Sequence, residues 1–402
     1  MTIAIIGGGA AGMFAAIRCK TEHPDAQVLL LEKTNQLLAK VRISGGGRCN
    51  VTHSCFDPAQ LVKNYPRGSK ELIGPFHRFQ PKDTVQWFEN QGVFLKTEAD
   101  GRMFPVTDSS ETIIQCLMNA ADQAGVEIRK QQKIQSIQKI NEKFLVELAE
   151  GQIIANQILL ATGSASAGYE IAKEFGHTIV PPVPSLFTFN VPSSPLLDLA
   201  GISVPNAILT LKGTDFKFTM QGPLLLTHWG FSGPAALKLS AWAARELHAT
   251  DYKATLLINW TAAPNQELLY QSLLQQKTLH PNRSLASPLP ANLFARLLQS
   301  LQIDPSMAIG KISNKTLAQL AAKLYADSYC INGKTTYKQE FVTAGGIHLK
   351  DVDFKTMQSR IVPGLFFAGE ILNIDGITGG FNFQNAWTTG WIAGTSMGGS
   401  IE

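Results

Sequence analysis

A glycine-rich turn near the start of the chain sets the strongest limit on its fold. Gly7, Gly9 and Gly12 have the G-x-G-x-x-G spacing, between an apolar strand pattern at 2–6 and a helical pattern at 11–20. The first glycine makes the tight turn, the second lets a pyrophosphate approach the backbone, and the third lets the helix pack closely. The helix N-terminus then faces the phosphate charge. This context predicts a Rossmann-type dinucleotide site.

An acidic residue follows the second predicted strand. The run 27–31 (QVLLL) is typical of a buried strand, and Glu32 follows it, 20 positions after Gly12. At that position a carboxylate can accept hydrogen bonds from an adenosine ribose diol with a free 2′-hydroxyl. The turn and the acid together favour FAD or NAD over NADP.

Three segments elsewhere favour FAD over NAD. Glu370 comes just past the buried strand pattern 362–368, and Gly379-Gly380-Phe381-Asn382 opens a helical pattern. A carboxylate at a strand end can hold the ribityl hydroxyls, and a helix N-terminus can face the N1–C2=O edge of a flavin. Thr162-Gly163, after the predicted core strand 153–161, gives a third close approach of the backbone to the cofactor.

Composition and charge exclude several other classes of protein. Apolar residues make up 45% of the 402 and charged residues 16%, which is typical of globular chains. The net charge of +4 is too small over this length to indicate nucleic-acid binding by itself. No apolar run of about 18 residues predicts a membrane span, and no leader pattern precedes the first strand. Five scattered cysteines without a C-x-x-C pair argue against a zinc site and a disulfide framework, so we expect a cytoplasmic protein.

The order of the predicted elements indicates an α/β domain made from both ends of the chain. Strand and helix patterns alternate before residue 181 and resume after about residue 343. Between them, Pro181, Pro182 and Pro184 open a β-rich region, which contains a helical stretch from Pro264 to about Asp327. Short β-like segments follow at 328–331 and 337–343.

Four motifs resemble those of the YhiN-like (BaiN/RdsA-type) family of bacterial FAD-dependent oxidoreductases. They are KVRISGGGRCNVT at 40–52, TH at 227–228 with GFSGP at 230–234, VTAGG at 342–346, and GE at 369–370 with DG at 375–376 and GGFNFQN at 379–385. The resemblance extends over essentially the whole chain. It implies a Rossmann-type FAD-binding domain over 1–185 and 344–402, an inserted β-barrel-like domain over 186–263 and 328–343, and a small helical domain over 264–327.

The same resemblance implies which residues line FAD. On the ADP side they are Gly7, Gly8, Gly9, Ala10, Ala11, Gly12, Glu32, Lys33 and Lys40, with a backbone segment near Ile134 beside the adenine. Along the ribityl chain and the ring they are Ser44, Gly45, Gly46, Gly47, Arg48, Cys49 and Asn50. Gly369, Glu370, Gly380, Phe381, Asn382 and Phe383 close the site, and Ala161, Thr162 and Gly163 form the backbone approach noted above.

Two side chains are candidates for proton transfer. Cys49 lies beside Arg48, whose charge would favour a thiolate, and Cys49 could donate a proton to substrate carbon opposite the hydride. The alternative is that Cys49 is a small packed residue under the flavin. His228 could be a general acid where the barrel-like domain meets the flavin, or it could fix its turn by bonding a backbone carbonyl. No metal site is expected.

Residues 63–82 combine basic and aromatic side chains, which suits a surface that binds RNA by stacking and charge. The basic ones are Lys63, Arg67, Lys70, Arg78 and Lys82, and the others are Tyr65, Phe76, His77 and Phe79. The alternative is a solvated loop over the flavin.

These features together predict an FAD-dependent oxidoreductase that transfers hydride between flavin and a carbon–carbon or similar unsaturated bond of its substrate. A second G-x-G-x-x-G is absent, so NAD(P)H would dock transiently as electron donor, or the substrate itself would supply electrons. One branch of the family reduces a uridine of ribosomal RNA to dihydrouridine, which makes an RNA-modifying enzyme the first alternative. A non-catalytic flavin-binding redox sensor is the second. The expected partner is a small-molecule substrate or ribosomal RNA.

Overall fold

The computed structural model describes residues 1–335 and 342–399. The chain divides into two units. Met1–Val183 with Lys338–Glu402 forms one, which we call the terminal unit, and Pro184–Tyr337 forms the other, which we call the central unit. Of the predicted β-like segment at 337–343, residues 337–341 lie outside the described residues, and Val342 begins a strand.

The chain up to residue 185 forms eleven strands and seven α-helices among the described residues. The strands are β1 (Thr2–Ile6), β2 (Gln27–Leu31), β3 (Thr52–His53), β4 (Leu95–Thr97), β5 (Arg102–Pro105), β6 (Glu127–Arg129), β7 (Ile134–Ile140), β8 (Lys143–Leu148), β9 (Gln152–Ala155), β10 (Gln157–Leu160) and β11 (Ile179–Ser185). The helices are α1 (Ala10–Glu22), α2 (Ala39–Gly47), α3 (Pro58–Leu61), α4 (Ser69–Arg78), α5 (Pro81–Asn90), α6 (Ser110–Ala124) and α7 (Ser166–Glu174).

The central unit and the C-terminal part of the terminal unit follow. The central unit contains β12 (Thr188–Asn190), β13 (Ser203–Lys212), β14 (Lys217–Thr227), β15 (Gly230–Ser232), α8 (Pro234–Trp242), α9 (Ala244–Ala249), β16 (Lys253–Asn259), α10 (Gln266–Leu279), α11 (Ala291–Gln299), α12 (Asn314–Tyr325), β17 (Asp327–Asn332) and β18 (Lys334–Thr335). The chain then returns to the terminal unit with β19 (Val342–Ile347), β20 (Val352–Asp353), β21 (Gln358–Ser359), β22 (Leu365–Phe367) and α13 (Phe381–Ser396).

A seven-stranded sheet in the order β20-β21-β22-β10-β1-β2-β6 forms the centre of the terminal unit. The strands from β22 to β6 are parallel, and Ile5 of β1 pairs with Leu159 on one side and with Leu30 on the other. These strands are buried on both faces, which explains why they are apolar throughout rather than alternating. The predicted α/β, Rossmann-type fold is confirmed.

The two ends of the chain meet where α1 packs against α13. A Cβ atom at Gly390 would lie 2.6 Å from the Ala11 carbonyl oxygen, and one at Gly394 would lie 2.5 Å from the Ala15 carbonyl oxygen. Both distances are shorter than side-chain carbons tolerate, so the two helices approach at backbone distance. This contact places the middle of α13 beside the first turn of α1.

The apolar run 153–161 was expected to form one core strand, and this expectation is wrong. It forms β9 and β10, which belong to different sheets: β9 pairs with β8, and β10 joins the parallel sheet. Asn156 lies between them, and both its backbone N–H and its side-chain oxygen bond Thr2, each at 2.8 Å. The chain therefore changes sheets at a residue that the hydrophobic pattern does not mark. Similarly, Pro181, Pro182 and Pro184 lie within β11, which pairs with β19.

The central unit has an antiparallel sheet in the order β17-β16-β13-β14-β15-β12-β18. Within the described residues this sheet has two edge strands and does not close into a barrel, in contrast to the barrel-like arrangement expected. Helices α10, α11 and α12 contribute to the same apolar core as the sheet. Buried Asp327 is held in this core, because Trp260 Nε1 (3.0 Å), Tyr329 Oη (2.7 Å) and Lys323 Nζ (2.8 Å) all donate to it. The division of this unit into two domains stays a prediction.

Across the described residues, no helix combines the length and the apolar character that crossing a bilayer requires.

Candidate functional site

The glycine turn between β1 and α1 has the geometry that its spacing predicts. A Cβ atom at Gly7 would overlap the Ala161 carbonyl oxygen, and one at Gly12 would overlap the Gly7 carbonyl oxygen. Gly9 precedes the first residue of α1, and a Cβ atom there would have no described atom within 4 Å. The first and third glycines therefore allow close packing, whereas the second borders open space at the N-terminus of a helix. An anionic phosphate is stabilised at such a place.

Glu32 lies at the end of β2, next to this turn. Its Oε2 accepts a hydrogen bond from Gly8 N–H (2.9 Å), and its Oε1 accepts from the N–H and the hydroxyl of Thr34 (2.9 Å each). The backbone N–H of Gln132 donates to the Glu32 carbonyl (2.8 Å), so the segment that leads to Ile134 runs beside Glu32. Lys33 is exposed. The structure therefore brings together the predicted ADP-side residues of β2 and β7.

Glu370 and Lys40 form an ion pair near the carboxyl ends of the parallel strands. Glu370 Oε1 also accepts from the backbone N–H of Thr343 (3.1 Å), and a Cβ atom at Gly163 would lie 3.7 Å from Glu370 Oε2. The Glu370 side chain is 19% exposed, so its carboxylate can still be reached. Residues predicted from three separate motifs thus meet at one carboxylate.

The segment from Ser44 to Asn50 forms an open loop rather than the end of α2. The backbone leaves the helical region at Ser44, and Gly45, Gly46 and Gly47 have φ of +58°, +67° and +82°. Positive φ favours glycine, which explains this run of three. Oriented to satisfy both neighbours, the Asn50 amide accepts from Gly380 N–H (3.0 Å) and donates to the Thr52 carbonyl (3.1 Å). The loop is thereby joined to the start of α13.

The start of α13 is fixed by contacts that come from distant parts of the chain. The Asn382 side chain bonds both the N–H (2.8 Å) and the carbonyl (2.9 Å) of Gly376, and Tyr65 Oη donates to the Phe381 carbonyl (2.7 Å). The His53 ring stacks on Phe381 with centroids 4.7 Å apart. Phe383 instead stacks on Trp387, one turn later in the same helix.

Arg67 and Asp375 hold the loop that precedes α13. Arg67 Nε donates to Asp375 Oδ1 (2.5 Å) and Nη2 donates to Oδ2, so the pair is bidentate. Asp375 is fully buried and the Arg67 side chain is 14% exposed. From the sequence, Arg67 and Tyr65 were assigned to a basic and aromatic surface. Asp375 and Thr343 were given no role within their motifs, and His53 was not singled out. The D-G step at 375–376 within the recognised motif was the available signal for Asp375.

The structure corrects the expected chemistry of Cys49. Burial raises the pKa of this thiol to about 12, so it stays protonated at neutral pH. Arg48 does not turn towards it, because the guanidinium pairs with Glu98 (2.7 Å) and lies 4.0 Å from the centre of the Phe104 ring. Cys49 is fully buried with a φ of +62°. These observations favour the packing alternative over a reactive thiolate.

His228 lies in the central unit, exposed on the turn between β14 and β15. It makes no hydrogen bond with the described residues. The side chain that fixes the turn is Thr227, whose Oγ1 accepts from Trp229 N–H (3.3 Å) and Gly230 N–H (3.2 Å). The alternative that His228 fixes this turn is therefore wrong.

The basic and aromatic segment 63–82 does not form a stacking surface. Tyr65, Phe76 and Phe79 are buried, and Arg67 is paired with Asp375. Arg78 donates to the Lys355 carbonyl. The buried aromatic residues of this segment belong to the core of the terminal unit. The interpretation as an RNA-binding surface and the interpretation as a solvated loop over the flavin are therefore both wrong for most of the segment. Within the described ranges no group of His, Cys, Asp and Glu is placed to hold a metal ion.

Two observations test whether this site fits a bound dinucleotide. A Cβ atom added at Gly9, Gly46 or Gly47 would have no described atom within 4 Å, so these glycines border open space. The hydroxyl oxygens of Thr162 and Tyr169 are buried without a hydrogen-bond partner among the described residues. Burial raises the pKa of Tyr169, and the nearby charge of Glu370 adds to that effect. Orphaned polar atoms beside an open cradle are expected where a polar ligand completes the structure. The residues therefore fit FAD.

Comparisons with known proteins agree with this geometry. The family model described as HI0933-like protein Rossmann domain matches residues 1–396. A ribosomal RNA dihydrouridine synthase of Escherichia coli is 30% identical, over 98% of this chain and 97% of that protein. A 3-dehydro-bile acid delta(4,6)-reductase of Clostridium scindens is 27% identical over 98% of both.

One solved structure shares the fold at low identity. The 3-ketosteroid-delta4-(5alpha)-dehydrogenase of Rhodococcus jostii is 14% identical, with a TM-score of 0.52 over 98% of this chain and 96% of that one. From the family match over nearly the whole chain, together with the fitted cofactor site, we conclude that this protein is an FAD-dependent oxidoreductase of the HI0933-like family.

Proposed function

We propose that this oxidoreductase reduces a carbon–carbon double bond conjugated to a carbonyl, and that the bond belongs to a uridine of ribosomal RNA. Two relatives named ribosomal RNA dihydrouridine synthase, at 30% and 29% identity, each match 98% of this chain. The relative named as a bile-acid reductase acts on an enone, whose double bond is activated in the same way as C5=C6 of uracil. The three names therefore share one reaction class.

The structural observation that supports the flavin part of the proposal is the junction of Asn50 with Gly380. It joins the open glycine loop to the N-terminus of α13, where partial positive charge can stabilise negative charge that develops on a reduced flavin. In this assignment Gly9 and the start of α1 hold the pyrophosphate and Glu32 holds the ribose. Lys40 and Glu370 hold the ribityl side.

Held by these residues and reduced, FAD would supply a hydride to the carbon β to the carbonyl. A proton from solvent would add to the α carbon, so the product gains two hydrogen atoms, and NAD(P)H is the two-electron donor that we propose. The terminal unit contributes binding and orientation through the residues above. Because Cys49 is fully buried, and because a pKa of about 12 makes its thiol a weak acid, we assign it to packing under the ring and not to proton transfer.

An anaerobic spectroscopic experiment tests this function. The flavin band of the purified protein should bleach with NADH or NADPH, and unmodified ribosomal RNA should then restore it while dihydrouridine appears by mass spectrometry. Polyadenylate is the matched RNA control and should restore nothing. Reoxidation by a steroid enone without reoxidation by ribosomal RNA would support a small-molecule reductase instead. Reoxidation by neither acceptor would refute the proposed reaction class.

A further inference from the structure

Among the described residues, Trp229 is the one tryptophan with an exposed side chain. Its side chain is 55% exposed, at the turn between β14 and β15. Trp87, Trp260, Trp387 and Trp391 each pack against another aromatic ring, whereas Trp229 has no ring or cation contact with any described residue. Burying an indole is strongly favourable, so a ring left open to solvent on an otherwise ordered turn is available to a partner.

The turn that presents Trp229 is held on both sides of its backbone. Thr227 Oγ1 accepts from Trp229 N–H and from Gly230 N–H, and the Trp229 carbonyl accepts from Val191 N–H (2.7 Å). A fixed backbone leaves only the two side-chain torsions to order on binding. The entropic cost of stacking a planar group on this indole is therefore low.

A cation without a carboxylate partner lies on strands next to this turn. Gly230 pairs with Asn190 of β12, and Asn190 N–H donates to the carbonyl of Gly333, the residue before Lys334. The Lys334 ammonium lies 4.8 Å from the centre of the Tyr252 ring, and no described carboxylate pairs with it. Because no described carboxylate neutralises its charge, Lys334 can contact an anion.

The net positive charge of the chain comes from the central unit. Residues 184–337 contain 12 Lys and Arg against 7 Asp and Glu, a net charge of +5. The rest of the chain contains 23 against 24, a net charge of −1. The small overall charge thus hides an asymmetry, and a polyanion is attracted to the unit that carries Trp229.

We propose that Trp229 stacks on a nucleobase of the RNA substrate, and that the charge of the central unit, with Lys334, holds the adjoining phosphates. The inference rests on the proposed function and deepens it, because it assigns RNA recognition to the central unit. An exposed indole near an unpaired cation on a basic unit is the combination by which single-stranded RNA is bound.

Binding of an in-vitro transcript of ribosomal RNA, measured at fixed salt and then over a salt series, tests the inference. Trp229→Ala should weaken binding about tenfold or more, and Trp229→Phe should retain most of the affinity because a ring remains. Lys334→Ala should lower the salt slope by about one, whereas Trp229→Ala should leave that slope unchanged. Leu268→Ala, which truncates another side chain of the central unit that is 55% exposed, is the matched control and should bind as wild type.

Bound FAD and its reduction by NAD(P)H should be the same in all four variants, which separates RNA binding from folding. Wild-type affinity in Trp229→Ala would overturn the inference, as would an equal loss in Leu268→Ala. If the wild-type protein reduces uridine in the transcript and Trp229→Ala does so with the same KM, the role of Trp229 is refuted while the proposed function stands. If the wild-type protein neither binds nor reduces the transcript, both the proposed RNA substrate and the role of Trp229 are refuted.

Discussion

Lys40 and Glu370 are 330 residues apart in the sequence, and their side chains form an ion pair next to the glycine-rich segments of the terminal unit. Lys40 comes from α2, shortly before the open glycine loop, and Glu370 follows β22. The pair therefore connects the two parts of the chain that form the terminal unit, at the place where we propose that FAD binds.

Replacing Glu370 by Gln should weaken FAD binding about tenfold, because the charged partner of Lys40 is lost while the shape of the side chain is kept. A hydrogen bond to a charged group contributes about 1.5–3 kcal/mol, and partial exposure reduces that value here. Titration of the apoprotein with FAD measures the affinity. Glu22→Gln removes another ion pair, between Glu22 and Arg18 on α1, and should leave the affinity unchanged. Equal affinity in Glu370→Gln and wild type would contradict the assignment of Glu370.

Gly9→Ala should lower the affinity for FAD, whereas Gly12→Ala should lower the stability of the apoprotein. A Cβ atom at Gly9 meets open space and the φ of −84° suits alanine, so the apoprotein should keep its stability. The added methyl group would occupy the place of the pyrophosphate, so FAD affinity should fall by tenfold or more. At Gly12 the Cβ would overlap the Gly7 carbonyl, which should destabilise the apoprotein by about 1–3 kcal/mol.

Thermal unfolding of the two apoproteins and FAD titration of Gly9→Ala measure these effects. FAD binding by Gly9→Ala with wild-type affinity would mean that the cofactor does not approach this turn.

Cys49→Ala should leave turnover within about twofold of wild type at equal flavin content, because the buried thiol has no role in proton transfer. Loss of a general acid lowers the rate about 10²- to 10⁴-fold, so the two roles are easily separated. In the native protein iodoacetamide should label exposed Cys330 and leave Cys49 unmodified. A hundredfold loss of turnover in Cys49→Ala would restore the thiol as the proton donor.

His177 should make the stability of the fold depend on pH below neutrality. It is 3% exposed and burial lowers its pKa from 6.5, while Nδ1 lies 2.9 Å from the Ala172 carbonyl and Nε2 lies 2.7 Å from Ser359 Oγ. The unfolded chain therefore binds a proton more readily than the folded one. The contribution of His177 is complete above pH 6.5 and is lost as the pH falls from there towards its lower folded pKa.

Urea unfolding at a series of pH values between 5 and 8 measures this effect, and His177→Gln should flatten the dependence, whereas exposed His280→Gln should not. An unchanged slope in His177→Gln would assign the dependence to other groups.

The sequence was sufficient for the parts of the fold that local pattern determines. The apolar runs of β1, β2 and β22 and the glycine turn before α1 were found because each is continuous in the chain. The same pattern failed at 153–161, since hydrophobicity does not tell which sheet a strand joins, and Asn156 decides it through bonds to Thr2. It failed again for Tyr65 and Phe76, because a buried aromatic and a stacking aromatic look alike in sequence.

For the candidate site, too, the sequence predicts residues that lie in local motifs but not the contacts between distant parts of the chain. Glu32, Lys40, Asn50 and Glu370 belong to recognisable motifs, and the structure brings Lys40 to Glu370 and Asn50 to the start of α13. The pairing of Arg67 with Asp375, 308 positions apart, depends on tertiary structure alone. Nothing near either residue in the chain indicates its partner.

The packing of α1 against α13 has a consequence for the order of events during synthesis. The ribosome releases the glycine turn first, but the Ala11 and Ala15 carbonyls receive their closest partners only when Gly390 and Gly394 emerge. A nascent chain therefore carries an incomplete cofactor site through most of its translation. Binding of FAD to the complete site therefore has to follow the synthesis of Glu370 and the start of α13.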